Sequence, residues 1–196
     1  MPWITFPRVR VRVSAFCLSA ALFMLALESA VPFAVLMLSA LWHELGHLLA
    51  LKKCGARPRR IDLLPMGALI ICPEGLSYGE ELRVALAGPL FSFAAALAGC
   101  AAYLLCGGVY PLFACIINSL LALFNLMPAK KLDGGKALYF LLCAKGADQR
   151  KAARVCFAAN VCALFVCGTL AVSAWIASGF NAGVIVLFLS LALQTV

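Results

Sequence analysis

Only two histidines occur in the chain, His43 and His47, and both fall in one His-Glu-Leu-Gly-His run. Glu44 follows the first of them and completes the HExxH pattern. Residues four apart share one face of a helix, so both imidazoles can reach a single metal ion. Glu44 is then placed to work on a water bound to that metal. The run is embedded in an apolar stretch, where ionisable groups are costly and usually functional. A polar packing network between helices is the competing explanation, and three ionisable groups at one depth in a membrane count against it. The chemistry these residues suggest is metal-assisted hydrolysis.

Catalytic zinc generally has three protein ligands and an open position for water. No histidine remains for the third, which must be Cys, Asp or Glu. Asp133 is the strongest candidate, because it ends an apolar segment at about the depth expected for His43 and His47. Gly134 and Gly135 allow a tight bend and close helix approach beside it. An Asp-Gly-Gly turn is the alternative for Asp133 alone. Glu28 reads as outer surface, and Asp62, Glu74, Glu80, Glu81 and Asp148 as loops or helix starts. The ten cysteines are scattered through apolar runs without a C-x-x-C pair, and read as small packing residues. Asn125 suits donation to a substrate carbonyl or oxyanion, and equally a hydrogen bond at a helix end near Pro128. The expectation is one Zn2+ per chain, a scissile carbonyl polarised by zinc, and Glu44 passing a proton from water to the leaving amine.

The elements that must hold these residues are membrane helices. The chain has 196 residues, is 65% hydrophobic and has a mean hydropathy of +1.03, more apolar surface than a soluble domain can hide. The fold class expected is an all-α polytopic membrane protein. At roughly 20 apolar residues per crossing, six spans emerge, at about 14–29, 31–52, 82–106, 109–127, 152–177 and 181–196. They make one integral-membrane domain, 1–196, with a catalytic core at about 31–145. With the N-terminus inside, all sixteen lysines and arginines face the cytoplasm and the opposite loops carry none. Both termini are therefore expected in the cytoplasm, and nucleic acid is not an expected partner. No cleavable signal peptide is expected, since the apolar run after Arg12 leads straight into a second one.

Residues 56–76 differ from the rest. Two short apolar runs flank Pro65-Met66-Gly67, which reads as a small membrane-associated β-hairpin whose edge could pair with an extended peptide. Ser77 to Glu80 fits a capping box. Gly88-Pro89 should kink the helix that follows.

Taken together, the residues resemble the site-2 protease family of intramembrane zinc metallopeptidases. HExxH (His43, Glu44, His47) is joined by N-x-x-P-x-x-x-L-D-G-G (Asn125, Pro128, Leu132, Asp133, Gly134, Gly135), with Ala87-Gly88-Pro89 between them. Leu63 to Gly67 resembles the hairpin of the sporulation-type branch, the stage IV sporulation protein FB group. The resemblance implies a zinc metalloendopeptidase of the cell membrane that cleaves membrane-tethered regulators in or near their transmembrane segments. It also implies substrate or oxyanion contacts at Asn125, Pro128 and Gly67, and a regulatory membrane protein or a second copy as a partner. Two positions depart from the family pattern. Lys131 stands where Pro is frequent, and Ser92 where Asn is frequent three residues after Gly-Pro; both are expected to affect substrate presentation rather than zinc binding. No CBS domain is expected after the last helix. A zinc transporter built on the same ligands, or a non-catalytic scaffold that grips a client helix, are the alternative functions.

Overall fold

The computed structural model describes residues 3–6, 9–13, 30–56, 60–64, 67–71 and 75–177. The spans expected at about 14–29 and 181–196 lie outside the described residues, as does the Pro65-Met66 turn. The elements are β1 (Trp3–Phe6), β2 (Val9–Val13), α1 (Ala30–Lys53), β3 (Arg60–Leu64), β4 (Gly67–Ile71), α2 (Tyr78–Cys106), α3 (Val109–Asn125), α4 (Asp133–Ala144) and α5 (Gln149–Ala177). They fall into two compact units, Met1–Leu123 and Phe124–Val196.

Among the described residues, three helices are long and apolar enough to cross a membrane: Val31–Lys53, Tyr78–Cys106 and Gln149–Ala177. α3 has 17 residues. At 1.5 Å per residue that is about 26 Å, slightly less than a hydrocarbon core of roughly 30 Å.

In the first unit the helices are turned inside out relative to a soluble bundle. Ser39, His43, His47 and Leu51 recur every four residues of α1 and are buried, while Leu38, Leu41, Leu45 and Leu49 are exposed. Lipid is as apolar as leucine, so close packing of small and polar groups drives association there. α2 answers with a buried stripe of small residues, Ala85, Gly88, Pro89, Ser92 and Ala96. The two helices meet so closely that a Cβ at Gly46 would stand 2.7 Å from the Ala87 carbonyl and 2.9 Å from the Phe91 ring. α2 begins with a full capping box: Ser77 N–H donates to Glu80 Oε2 at 2.9 Å and Glu80 N–H to Ser77 Oγ at 3.3 Å. It ends at Gly107 and Gly108, both at positive φ, which supply the sharp turn into α3.

The chain is mostly helical, as expected, and the first unit adds short strands to its helices. Its strands form one sheet in the order β1-β2-β3-β4. β3 and β4 pair antiparallel from Arg60↔Ile71 to Leu64↔Gly67. β1 and β2 also pair antiparallel, whereas β2 and β3 are parallel. Parallel neighbours need a long crossover, and here α1 lies within it. Trp3–Phe6 and Val9–Val13 are thus paired strands. β1 and β4 are the edges.

The second unit holds the end of α3, a tight passage and helices α4 and α5. Its core is Ala129 and Leu132, packed by Phe124, Met127, Leu164 and Cys167. The passage turns through Met127 N–H to Phe124 O (3.1 Å) and Leu132 N–H to Ala129 O (3.0 Å). Its backbone lies directly on the first turn of α4. A Cβ at Gly134 would collide with the Leu126 carbonyl, and one at Gly135 with the Ala129 carbonyl. This is the physical reason for two successive glycines after Asp133. α4 is a helix that the reading of spans passed over. Its 12 residues are too few to cross a bilayer.

Candidate metal centre

His43 and His47 are both buried, at 4% and 7% exposure, in an α1 whose other faces are lipid-like. Each imidazole is held through its Nδ1. His47 Nδ1 lies 2.8 Å from the Val84 carbonyl of α2. A carbonyl only accepts, so Nδ1 carries the proton and Nε2 carries the lone pair. His43 Nδ1 lies 2.9 Å from Ser92 Oγ, and Ser92 has no exposed surface. Ser92 therefore supports a histidine directly, rather than acting only in substrate presentation.

With both Nδ1 atoms engaged, the two Nε2 atoms face each other at 3.3 Å. Two nitrogens each 2.0–2.1 Å from a tetrahedral zinc are separated by roughly 3.3–3.4 Å. The pair thus has the spacing of two ligand positions of one zinc site, and hydrogen bonds that orient ligating histidines are already in place. Gly88 keeps the space beside the nitrogens open. A Cβ there would overlap His47 Nε2 and stand 2.7 Å from His43 Nε2. Trp42 fixes the neighbouring contact: its Nε1–H donates to the Phe91 carbonyl at 3.0 Å and its ring packs 5.4 Å from that of Phe91. The donor set and the gap left by Gly88 both fit zinc.

Glu44 is half-buried on the same helix. It lies about 60° round the axis from His47 and 100° from His43 at 3.6 residues per turn. One turn before His43, Ser39 is buried and hydrogen-bonded to Asn118 of α3. The sequence reading missed both, although Ser39, His43 and His47 share one four-residue spacing.

The remaining expected site residues occur elsewhere. Asp133 stands in the first turn of α4 at 6% exposure, where a negative charge favours the helix start. Its Oδ1 is 3.4 Å from Lys136 Nζ. Asn125 is the last residue of α3, and Pro128 lies in the passage that follows. Gly67 opens β4 opposite Leu64. His43, His47 and Asp133 are three buried residues of metal-ligating type. Glu80 and Glu81 are spent at the start of α2.

Comparison with known proteins gives this centre a context. Residues 32–111 match the sequence signature of peptidase family M50. A zinc metalloprotease of Methanocaldococcus jannaschii is 36% identical over 124 residues, which cover 59% of this chain and 35% of that protein. Stage IV sporulation protein FB of Bacillus subtilis is 32% identical over 154 residues, covering 72% of this chain and 52% of that protein. The chain thus spans about half the length, or less, of these curated relatives. Among solved structures, a site-2 protease from Methanocaldococcus jannaschii shares the fold, with a TM-score of 0.66 and 23% identity over 98% of this chain and 91% of that one.

Proposed function

We propose that this chain, whose residues 32–111 match peptidase family M50, is an intramembrane zinc metalloprotease. Its substrates are membrane-tethered regulatory proteins, hydrolysed in or near their transmembrane segments. The observation that carries this reading is the facing pair of Nε2 atoms at 3.3 Å with both Nδ1 atoms held.

His43 and His47, with Asp133 as third ligand, would hold one zinc ion. When bound, zinc supplies a Lewis acid for the scissile carbonyl and brings the pKa of its water to about 7. The protein's own residues do the rest. Glu44 takes the proton of the attacking water and delivers it to the leaving amide nitrogen. The Val84 carbonyl holds His47 in one tautomer and orientation, and Ser92 holds the orientation of His43. Asn125 donates to the developing oxyanion, and Pro128 shapes the passage beside it. The β3–β4 hairpin, entered through Gly67, offers its free edge to the extended substrate. One domain spans 1–196 with its catalytic core at about 31–145, and the basic loops keep both termini in the cytoplasm. The similarity to a sporulation protein makes a sporulation-type regulator the first substrate class to try.

The test is Glu44→Gln in proteoliposomes with a fluorogenic single-span Leu/Ala peptide carrying a central Gly-Ser break. The expected result is loss of cleavage by at least ~10³-fold with zinc content unchanged, since removal of a general base leaves the ligands intact. Cleavage retained by that variant would reject Glu44 as the base.

A further inference from the structure

A second buried polar pair lies one helical turn from the histidines. Asn118 of α3 and Ser39 of α1 are 4% and 5% exposed. Asn118 Nδ2–H donates to Ser39 Oγ at 2.8 Å and to the Ala114 carbonyl at 2.9 Å. The Ala114 carbonyl can only accept, so the amide cannot be flipped: its NH2 group must face Ala114 and its oxygen must face away. That oxygen, Oδ1, has no hydrogen-bond partner among the described residues. A buried, unpaired acceptor is rare and costly, and more so at membrane depth where water is scarce. It calls for a donor supplied from outside these elements.

The position says which donor. Ser39 precedes His43 by four residues on the same buried face, or about 6 Å along the axis at 1.5 Å per residue. An extended peptide advances about 3.3 Å per residue, so 6 Å is about two residues of substrate. A substrate helix unwound for hydrolysis loses its own carbonyl partners, and its bare N–H groups need acceptors. Resting on the protease reading above, we infer that Asn118 is a substrate-binding residue, whose Oδ1 accepts one backbone N–H of the unwound substrate about two residues from the scissile bond. Ser39 positions it by holding the amide's other end. The site reads peptide backbone rather than side chain, so it selects for an unwound conformation and tolerates varied sequence.

The test replaces each amide N–H of the fluorogenic Leu/Ala peptide in turn with an ester oxygen. With wild-type zinc-loaded protein, one ester about two residues from the cut should lower kcat/KM by about 10-fold, the effect of one lost buried hydrogen bond. In Asn118→Ala that same ester should cost nothing further, whereas esters elsewhere keep their wild-type effects. A purely structural role for Asn118 would leave the ester effects unchanged and additive. Affinity of the same peptides for Glu44→Gln protein gives a second readout that needs no hydrolysis, and there too one ester alone should weaken binding by about 10-fold. An ester series without a singular position in wild-type protein, by binding and by cleavage, overturns the inference, and does not require that Asn118→Ala fold. Loss of cleavage with the singular binding position retained would instead count against the protease reading.

Discussion

Gly88→Ala adds one methyl group to α2 at the point where it faces both imidazoles. The added Cβ would stand 2.7 Å from His43 Nε2 and overlap His47 Nε2. Ordinary contact begins near 3.4 Å, so the His43 nitrogen must give way by about 0.7 Å and that of His47 by more. Zinc–ligand distances tolerate only about ±0.2 Å. Substituting residues that merely orient a ligand costs 10–100-fold in metal affinity; this substitution displaces two ligands, so a rise in zinc Kd of at least ~100-fold is expected, about 2.7 kcal/mol. The assay is zinc competition against a chromophoric chelator in detergent, with melting temperature measured on the same samples. Two other glycines serve as controls. Gly46→Ala presses on the Ala87 carbonyl and the Phe91 ring, and Gly99→Ala on the Cys115 backbone at 2.9 Å. Both overpack a helix contact, at about 1–3 kcal/mol each, without touching an imidazole nitrogen. Gly99→Ala should therefore lower stability and leave zinc affinity as it was. Zinc affinity of Gly88→Ala within threefold of wild type would refute the reasoning.

Further outcomes follow from neighbouring contacts. Ser92→Ala should raise the zinc Kd about 10-fold by freeing the His43 ring, and Ser92→Asn should restore most of the loss; equal affinity of all three proteins would show that the Nδ1 contact orients nothing. Gly134→Ala should destabilise the second unit by more than about 3 kcal/mol, because its Cβ meets the Leu126 and Met127 carbonyls rather than a movable side chain. Urea titration of the variant checks this, and an unchanged midpoint would contradict the close passage of 126–130 over α4.

How much of this was legible beforehand depended on the range of the interaction. The HExxH helix was readable because periodicity is local: His43, Glu44 and His47 sit within five residues, and an apolar context gives them meaning. The capping box from Ser77 to Glu80 is equally local. The sheet was harder. β2 pairs with β3 across an intervening helix, and no short window contains both strands. The Val-Arg alternation of Val9–Val13 has the period of a strand, but its arginines equally fit the basic flank of a membrane span. α4 was missed because a search for spans discards a 12-residue helix. The Ser39–Asn118 bond joins residues 79 apart, and the Val84 carbonyl has no side-chain signature at all. Ser92 was visible as a departure from the family pattern, yet only its place opposite His43 in three dimensions showed that it supports a histidine.

The most direct test of the central claim is zinc content with zinc-edge X-ray absorption on the purified chain in detergent. The expected result is about one zinc per chain, with two nitrogen ligands near 2.0 Å, at least one oxygen and no sulfur. Absence of tightly held zinc after gentle purification, or sulfur bound to the metal, would contradict a centre built on His43, His47 and Asp133.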